Sequence, residues 1–254
     1  MKCNPTVKDI YDVIDGFAPF ASQCEWDNSG LLVGSGSAEV KKIGVVLDIT
    51  AEAVEAAHSL GVDAIVSHHP VIFRPISSIP DGSAAYLLVK YGIAAVCAHT
   101  SLDKAVGGVN DALAAKLGFL NAAPLFECGD ESMIRAAEIP VTDARSLAEL
   151  TAEKLGTAVA LADAGKPIKK IALCGGAGGD FISAVISAGC DAYITGEAKH
   201  HEFIECKERG LSLLAAGHFA TENPVVQTLA AKLSDELGCE TVVIEQSAPE
   251  KYIK

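Results

Sequence analysis

The chain has 254 residues and a mass of 26.3 kDa, and half of its residues are apolar. It can therefore bury a large core, which excludes an intrinsically disordered protein. Its 20 basic and 33 acidic residues give a formal net charge of −13, which disfavours general binding to nucleic acids because an acidic surface repels phosphate backbones.

The first predicted elements alternate between strands and helices. A strand is expected at 43–47, a helix at 51–60 and a second strand from 64 to 66, because an apolar run, a stretch of helix formers and another apolar run follow one another. A third strand is expected at 93–98, followed by a helix that includes 113–117. This order is typical of strands joined by right-handed crossovers in a mostly parallel sheet.

The rest of the chain repeats this series. Residues 41–43 match 169–171 when the sequence is shifted by 128 positions, and residues 61–64 match 189–192 in the same alignment. A duplicated chain explains this better than chance similarity between alanine-rich segments. The repeated strands and helices are expected at 171–174, 181–188, 192–194, 211–216 and 229–233.

We therefore expect a duplicated three-layer α/β/α fold with two intertwined halves that contain βαβ units. The first α/β half would cover 1–120 and the second 158–254, joined by a connecting or edge segment at 121–157 with a short helix at 144–155. The halves would form one compact unit without an inserted domain. Ligands of such sheets bind beyond the carboxyl ends of the strands.

Polar clusters follow three of the predicted strands. Ser67-His68-His69-Pro70 comes first, and adjacent side chains on an extended chain point in opposite directions, so two adjacent histidines suit two metal ions. The alternative is a pair of surface or core histidines that bind no metal. The other two clusters share a His-x-x-x-carboxylate pattern, in 99–103 and 218–222, at an offset of 119.

Imidazoles and carboxylates together favour Zn, Fe, Mn or Ni over a soft thiolate site. A carboxylate can also bridge two ions, which lie about 3.5–4 Å apart in dinuclear hydrolytic sites. Five side chains from the clusters give a ligand set of the right size for two divalent ions. They are His68, His69, Asp103, His218 and Glu222.

Three other features allow two interpretations each. The glycine-rich stretch 174–180 could hold a phosphate or form a tight turn, and it lacks the third glycine of a dinucleotide-binding loop. Gly196 and Glu197 occupy the positions of His68 and His69 in the second copy, which predicts a single composite site. Glu197 could act as an acid–base or orient a ligand. Trp26, the only tryptophan, is expected in the core or an interface rather than stacked on a ligand.

With these residues the chain resembles the NIF-three-like family (domain of unknown function thirty-four), whose bacterial members often carry the name GTP cyclohydrolase 1 type 2 homolog. One stretch departs from the family pattern: Ser132, Ile134 and Ala137 stand where glycines would flank Arg135, which leaves the role of that loop open. The stretches that carry the resemblance are 26–34, 67–70, 99–103, 107–110, 195–201 and 217–224.

The resemblance implies two divalent metal ions per chain and a toroidal homohexamer. It assigns the five residues above as metal ligands, with Glu222 bridging, and it places His99 close to the metals.

We therefore expect a dinuclear metal-dependent hydrolase. A cytoplasmic location is expected because eight cysteines without a Cys-x-x-Cys pair are typical of a reduced chain, and because neither a signal peptide nor a membrane span is predicted. The substrate would be a nucleotide or a related small phosphorylated heterocycle. Water activated between the metals would attack a ring carbon or a phosphoryl group, while His99 or Glu197 carries the proton. The alternative is a non-catalytic metal- and nucleotide-binding scaffold or regulator, which needs the same ligands.

Overall fold

A computed structural model describes residues 4–251, in which strands and helices alternate. The strands are β1 (Gly30–Val33), β2 (Lys42–Val46), β3 (Ala64–Ser67), β4 (Ala94–Cys97), β5 (Ala123–Pro124), β6 (Arg135–Thr142), β7 (Ala160–Ala162), β8 (Ile168–Cys174), β9 (Ala192–Thr195), β10 (Ser212–Ala215) and β11 (Glu240–Val243). The helices are α1 (Val7–Phe17), α2 (Ala51–Ser59), α3 (Ala84–Tyr91), α4 (Thr100–Lys104), α5 (Val109–Leu117), α6 (Ala144–Leu155), α7 (Ile182–Ser187), α8 (His200–Arg209), α9 (His218–Glu222) and α10 (Pro224–Leu237).

The chain divides into two compact units. Of the described residues, unit 1 contains 4–108 and 226–247, and unit 2 contains 109–225 and 248–251. The division differs from the expected boundaries at 120 and 157. The segment expected to connect the halves supplies β6 and α6 to unit 2, whereas β11, near the end of the chain, pairs with β2 in unit 1.

Unit 1 is built on a five-stranded sheet in the order β1-β4-β3-β2-β11. All neighbouring strands are parallel except β1, which runs antiparallel to β4. Every residue of β3 and β4 is buried, as expected for central strands of a parallel sheet. Val54 of α2 and Leu88 of α3 pack against Ile65 of β3, so these two helices cover one face, and α1 contacts β4.

Unit 2 is built on a six-stranded sheet in the order β5-β6-β8-β9-β10-β7, in which β8, β9 and β10 are parallel. Leu113 of α5 and Leu147 of α6 pack with Ile194 of β9 on one face. The neighbouring Tyr193 points to the opposite face, where α8 contacts β10. Helices therefore lie on both faces of this sheet, which confirms the predicted mixed α/β fold class.

The repeat predicted from the sequence has a counterpart in hydrogen bonding. In unit 1, Asp63 Oδ2 accepts from the backbone N–H groups of Lys41 and Lys42, at 2.7 and 3.0 Å. In unit 2, Asp191 Oδ2 accepts from residues 169 and 170, at 2.8 and 2.9 Å. Equivalent aspartates therefore fix the start of the first strand in β2–α2–β3 and in β8–α7–β9.

Two further observations concern the helices and the cysteines. Within residues 4–251, no helix combines the length and the apolar character that crossing a bilayer requires. No disulfide joins the seven described cysteines, and Cys3 lies outside the described residues. Five of the seven are buried.

Candidate metal centre

The predicted ligands of unit 1 lie beyond the carboxyl ends of β3 and β4. His68 and His69 directly follow β3, and Asp103 lies in α4, whose first turn begins just after His99. The two strands are parallel neighbours, so their ends bring these side chains together. The His68 side chain is 1% exposed and that of Asp103 is 13% exposed, and 3.6 Å separates His68 Nε2 from Asp103 Oδ1.

The imidazoles of His68, His69 and His99 share one feature: Nδ1 of each faces an oxygen acceptor. Because a carbonyl or a carboxylate can only accept, Nδ1 carries the proton in the neutral ring and Nε2 carries the lone pair. This second hydrogen bond is typical of metal-binding histidines, since it fixes the tautomer and the ring orientation. The pairs are His68 with the Ala98 carbonyl at 3.0 Å, His69 with Asp48 Oδ1 at 2.7 Å and His99 with Asp27 Oδ1 at 2.8 Å.

The three imidazoles also lie close together. One ligand atom from each of His68, His69 and His99 lies within 4.8 Å of the others. The ring centroid of His68 is 4.8 Å from that of His69 and 5.2 Å from that of His99. A partly buried carboxylate, that of Asp103, borders the same cluster. The donor set and the fixed tautomers fit a divalent transition-metal ion.

Asp27 anchors the His99 side of the cluster. Its side chain is fully buried and accepts hydrogen bonds from His99 Nδ1 and from the backbone N–H and the hydroxyl of Thr100. Burial opposes ionisation, but these hydrogen bonds outweigh it and hold the pKa of Asp27 well below its ordinary value. An ionised carboxylate therefore faces His99. Sequence reasoning missed this role of Asp27, although the residue lies in the first stretch that resembles the family.

In unit 2, His218 and Glu222 face each other across one turn of α9. His218 Nε2 lies 3.0 Å from Glu222 Oε2, and the Glu222 side chain is only 6% exposed. Nδ1 of His218 lies 3.1 Å from Glu197 Oε1. Glu197 thus faces Nδ1 of His218 as Asp48 faces Nδ1 of His69. This geometry supports a role of Glu197 in orienting His218 rather than an acid–base role.

The glycine-rich loop after β8 packs directly against this pair. Gly176 has a φ of +63°, and a Cβ at this position would clash with Glu222 Oε1 and lie 3.2 Å from His218 Nε2. Only glycine allows the backbone to come this close. Asp48 stands at the matching position of the first copy, 128 residues earlier.

The same loop uses its amides within unit 2. The N–H of Gly175 donates to Asn110 Oδ1 at 2.7 Å, and that of Gly176 donates to Thr221 Oγ1 at 3.1 Å. Gly178 N–H donates to a threonine hydroxyl as well. Because side chains already accept hydrogen bonds from these amides, the geometry favours the interpretation as a tight turn and not the one as a phosphate-binding loop.

The structure also places Arg135, whose loop had no assigned role, and Trp26. Arg135 is completely buried and donates to the carbonyls of Ser132 and Met133 at 2.8 and 3.2 Å, so its guanidinium holds the preceding turn. Trp26 was expected in the core or an interface, and its 59% exposure contradicts the core while the interface stays a prediction. Its indole instead lies against His99, with 5.9 Å between ring centroids.

Comparison with known proteins places the chain in a family. The family model described as Duf34/NIF3 (NGG1p interacting factor 3) matches residues 5–249. The chain belongs to this family. A Clostridium perfringens protein called GTP cyclohydrolase 1 type 2 homolog is 33% identical over 251 residues, which cover 94% of this chain and 95% of that protein.

Solved structures agree with the fold. A hypothetical protein from Staphylococcus aureus superposes with a TM-score of 0.91 at 24% identity, over 98% of this chain and 100% of that one. A Bacillus cereus protein related to NIF3 gives a TM-score of 0.89 at 20% identity, over 100% of both chains. The resemblance stated from the sequence is confirmed, as is the mixed α/β architecture with mostly parallel sheets.

Proposed function

We propose that this member of the Duf34/NIF3 family is a divalent-metal-dependent hydrolase that acts on a nucleotide or a related small phosphorylated heterocycle. The main support is the cluster of three imidazoles whose Nδ1 atoms all face oxygen acceptors, with the partly buried carboxylate of Asp103 3.6 Å from Nε2 of His68. The name of the curated relatives, GTP cyclohydrolase 1 type 2 homolog, supports a nucleotide substrate.

We propose two ions per chain, of Zn, Fe, Mn or Ni. His68, His69 and Asp103 of unit 1 would act as ligands, and so would His218 and Glu222 of unit 2. When bound, a divalent cation lowers the pKa of water towards neutrality and polarises a substrate oxygen. The acidic side chains offset the positive charge, and the fixed Nδ1 protons leave Nε2 of His68 and His69 as the ligand atom.

His99 is the proposed proton carrier. Its Nε2 can accept a proton from water, while the Asp27 carboxylate holds Nδ1–H and stabilises the imidazolium that results. Because the pKa of Asp27 is held well below its ordinary value, this carboxylate stays ionised at neutral pH. Glu197 keeps His218 in one orientation through Nδ1.

Turnover of nucleotides tests this proposal. Metal-loaded protein should hydrolyse GTP or another nucleotide, and the His68→Ala/His69→Ala variant should fall to background. His58→Ala is the matched control, since this histidine stacks on Tyr91 at a ring-centroid distance of 3.9 Å, outside the cluster. Tight nucleotide binding without turnover by the wild type would instead indicate a scaffold or regulator and would contradict the enzyme.

We also propose a cytoplasmic homohexamer. The buried thiols support a reducing compartment, and the family resemblance supports the hexamer. Native mass spectrometry should give six times the chain mass of 26.3 kDa. A monomeric mass at the concentrations used for activity would contradict the hexamer.

A further inference from the structure

Two large aromatic side chains of unit 1 are exposed next to each other. Trp26 is 59% exposed and Phe73 is 40% exposed, and their ring centroids lie 5.9 Å apart at an interplanar angle of 62°. Burying such rings is favourable, so an adjacent exposed pair is typical of a surface that binds something.

The pair borders the histidine cluster. The ring centroid of Trp26 lies 5.9 Å from that of His99, and the ring centroid of Phe73 lies 6.2 Å from it, both in edge-on geometry. His99 in turn lies 5.2 Å from His68 and 5.6 Å from His69. A flat ring held by the aromatic pair would therefore lie beside the imidazoles.

Hydrogen bonds hold the two loops that carry the pair. Asn28, two residues after Trp26, donates from its side chain to the carbonyl of Ile72, next to Phe73. Asp27, between Trp26 and Asn28, is fixed by its bonds to Thr100. The pair is thus positioned before a ligand arrives, which reduces the entropy lost on binding.

We propose that Trp26 and Phe73 bind the heteroaromatic base of a nucleotide by stacking and edge-to-face contact. The choice of substrate class rests on the proposed function, while the site itself rests on the geometry of the pair. A base offers two apolar faces and a polar edge, which match exposed aromatic rings next to imidazoles. This assigns base recognition to unit 1, at residues outside the metal ligand set.

The single tryptophan makes the inference directly measurable. Trp26 is the only tryptophan of the chain, so its fluorescence reports on this position alone. Titration of the metal-loaded full chain with guanosine 5′-monophosphate should quench the emission in a saturable way. Ribose 5-phosphate, which carries the same sugar and phosphate without a base, should leave the emission unchanged.

Variants of Phe73 separate stacking from other contacts. Phe73→Ala should raise the Kd for guanosine 5′-monophosphate about tenfold, and Phe73→Tyr should restore it, because a base stacks on either ring. Ile76→Ala is the matched control, since Ile76 is 50% exposed nearby in the chain and has no aromatic ring. Trp26→Leu, measured by calorimetry, should weaken binding as Phe73→Ala does.

Several results would overturn the inference. Equal quenching by ribose 5-phosphate, or an unchanged Kd in Phe73→Ala and Trp26→Leu, would show that the pair does not bind the base. A changed oligomeric mass in Phe73→Ala would assign the pair to a subunit interface instead. Nucleotide turnover without base-dependent quenching would contradict base binding by the aromatic pair but not the proposed hydrolase. Base-dependent quenching without turnover would contradict only the proposed hydrolase.

Discussion

An oxygen acceptor at Nδ1 fixes the tautomer and orientation of three histidines in unit 1. The sequence predicted His68, His69 and His99 because they follow strands, but it did not predict their acceptors. Asp48 lies 21 residues from His69 and Asp27 lies 72 residues from His99. No local spacing links residues so far apart, and only the sheet brings them together. Histidine positions were thus predictable and their partners were not.

Removing Asp48 should weaken metal binding. In Asp48→Ala the His69 ring loses the acceptor of its Nδ1 proton, so we expect metal affinity to fall about 10- to 100-fold. The Asp48 side chain is 40% exposed, and the fold should tolerate the change. Competition with a chromogenic chelator measures the affinity.

Asp12→Ala serves as the control for that experiment. Asp12 is an exposed carboxylate that pairs with Lys8 on α1 and should leave metal affinity unchanged. Equal affinity in Asp48→Ala and the wild type would contradict the orienting role of Asp48.

The loop between β8 and α7 cannot offer its amides to a ligand, because side chains of two neighbouring helices accept hydrogen bonds from them. The sequence allowed a phosphate cradle or a tight turn there, since glycines permit both. The decisive facts are the acceptors on α5 and α9 that occupy its amides, and these come from elements distant in the chain. Close approach of the loop to Glu222 explains the glycine at position 176.

Gly176→Ala should therefore lower metal content. The added methyl group would displace the Glu222 carboxylate, and it also strains a backbone with φ of +63°. Gly165→Ala is the matched control, because its φ is +69° and nothing lies within 4 Å of the added atom. Both variants should lose about 1–2 kcal/mol of unfolding free energy.

Elemental analysis and urea unfolding together separate the two effects. Only Gly176→Ala should lose bound metal. Equal metal content in Gly176→Ala and Gly165→Ala would show that contact with Glu222 does not matter for binding.

The equivalent aspartates of the two copies should contribute equally to the free energy of unfolding. Asp63 and Asp191 each accept two backbone hydrogen bonds at the start of a strand, so Asp63→Ala and Asp191→Ala should each reduce the free energy of unfolding by about 1–2 kcal/mol. Urea unfolding measures both. Asn variants, which keep one oxygen, should recover part of the loss. A loss in only one of the two would contradict equivalent roles for the repeated aspartates.

Across the complete chain, local patterns predicted the repeated strands and helices but not which sheet each edge strand joins. The strands and helices of both copies appear where the apolar periodicity placed them. Strand β6 joins the sheet of unit 2 as the antiparallel neighbour of β8, and β11 returns to unit 1 beside β2. Such pairings form between segments far apart in sequence, and a short apolar run does not specify its partner.

The net charge of −13 also bears on the proposed binding of a nucleotide. A nucleotide is an anion, and an acidic surface repels it. Bound divalent cations would provide the local positive charge that such a substrate requires, so the proposed activity depends on metal occupancy.

Metal occupancy is measured by elemental analysis of the purified full chain and of the His68→Ala/His69→Ala variant. After loading with Zn, Fe, Mn or Ni and removal of excess metal, the wild type should retain two divalent ions per chain and the variant at most one. One ion per chain or fewer in the wild type, or equal metal content in both proteins, would contradict the proposed dinuclear site.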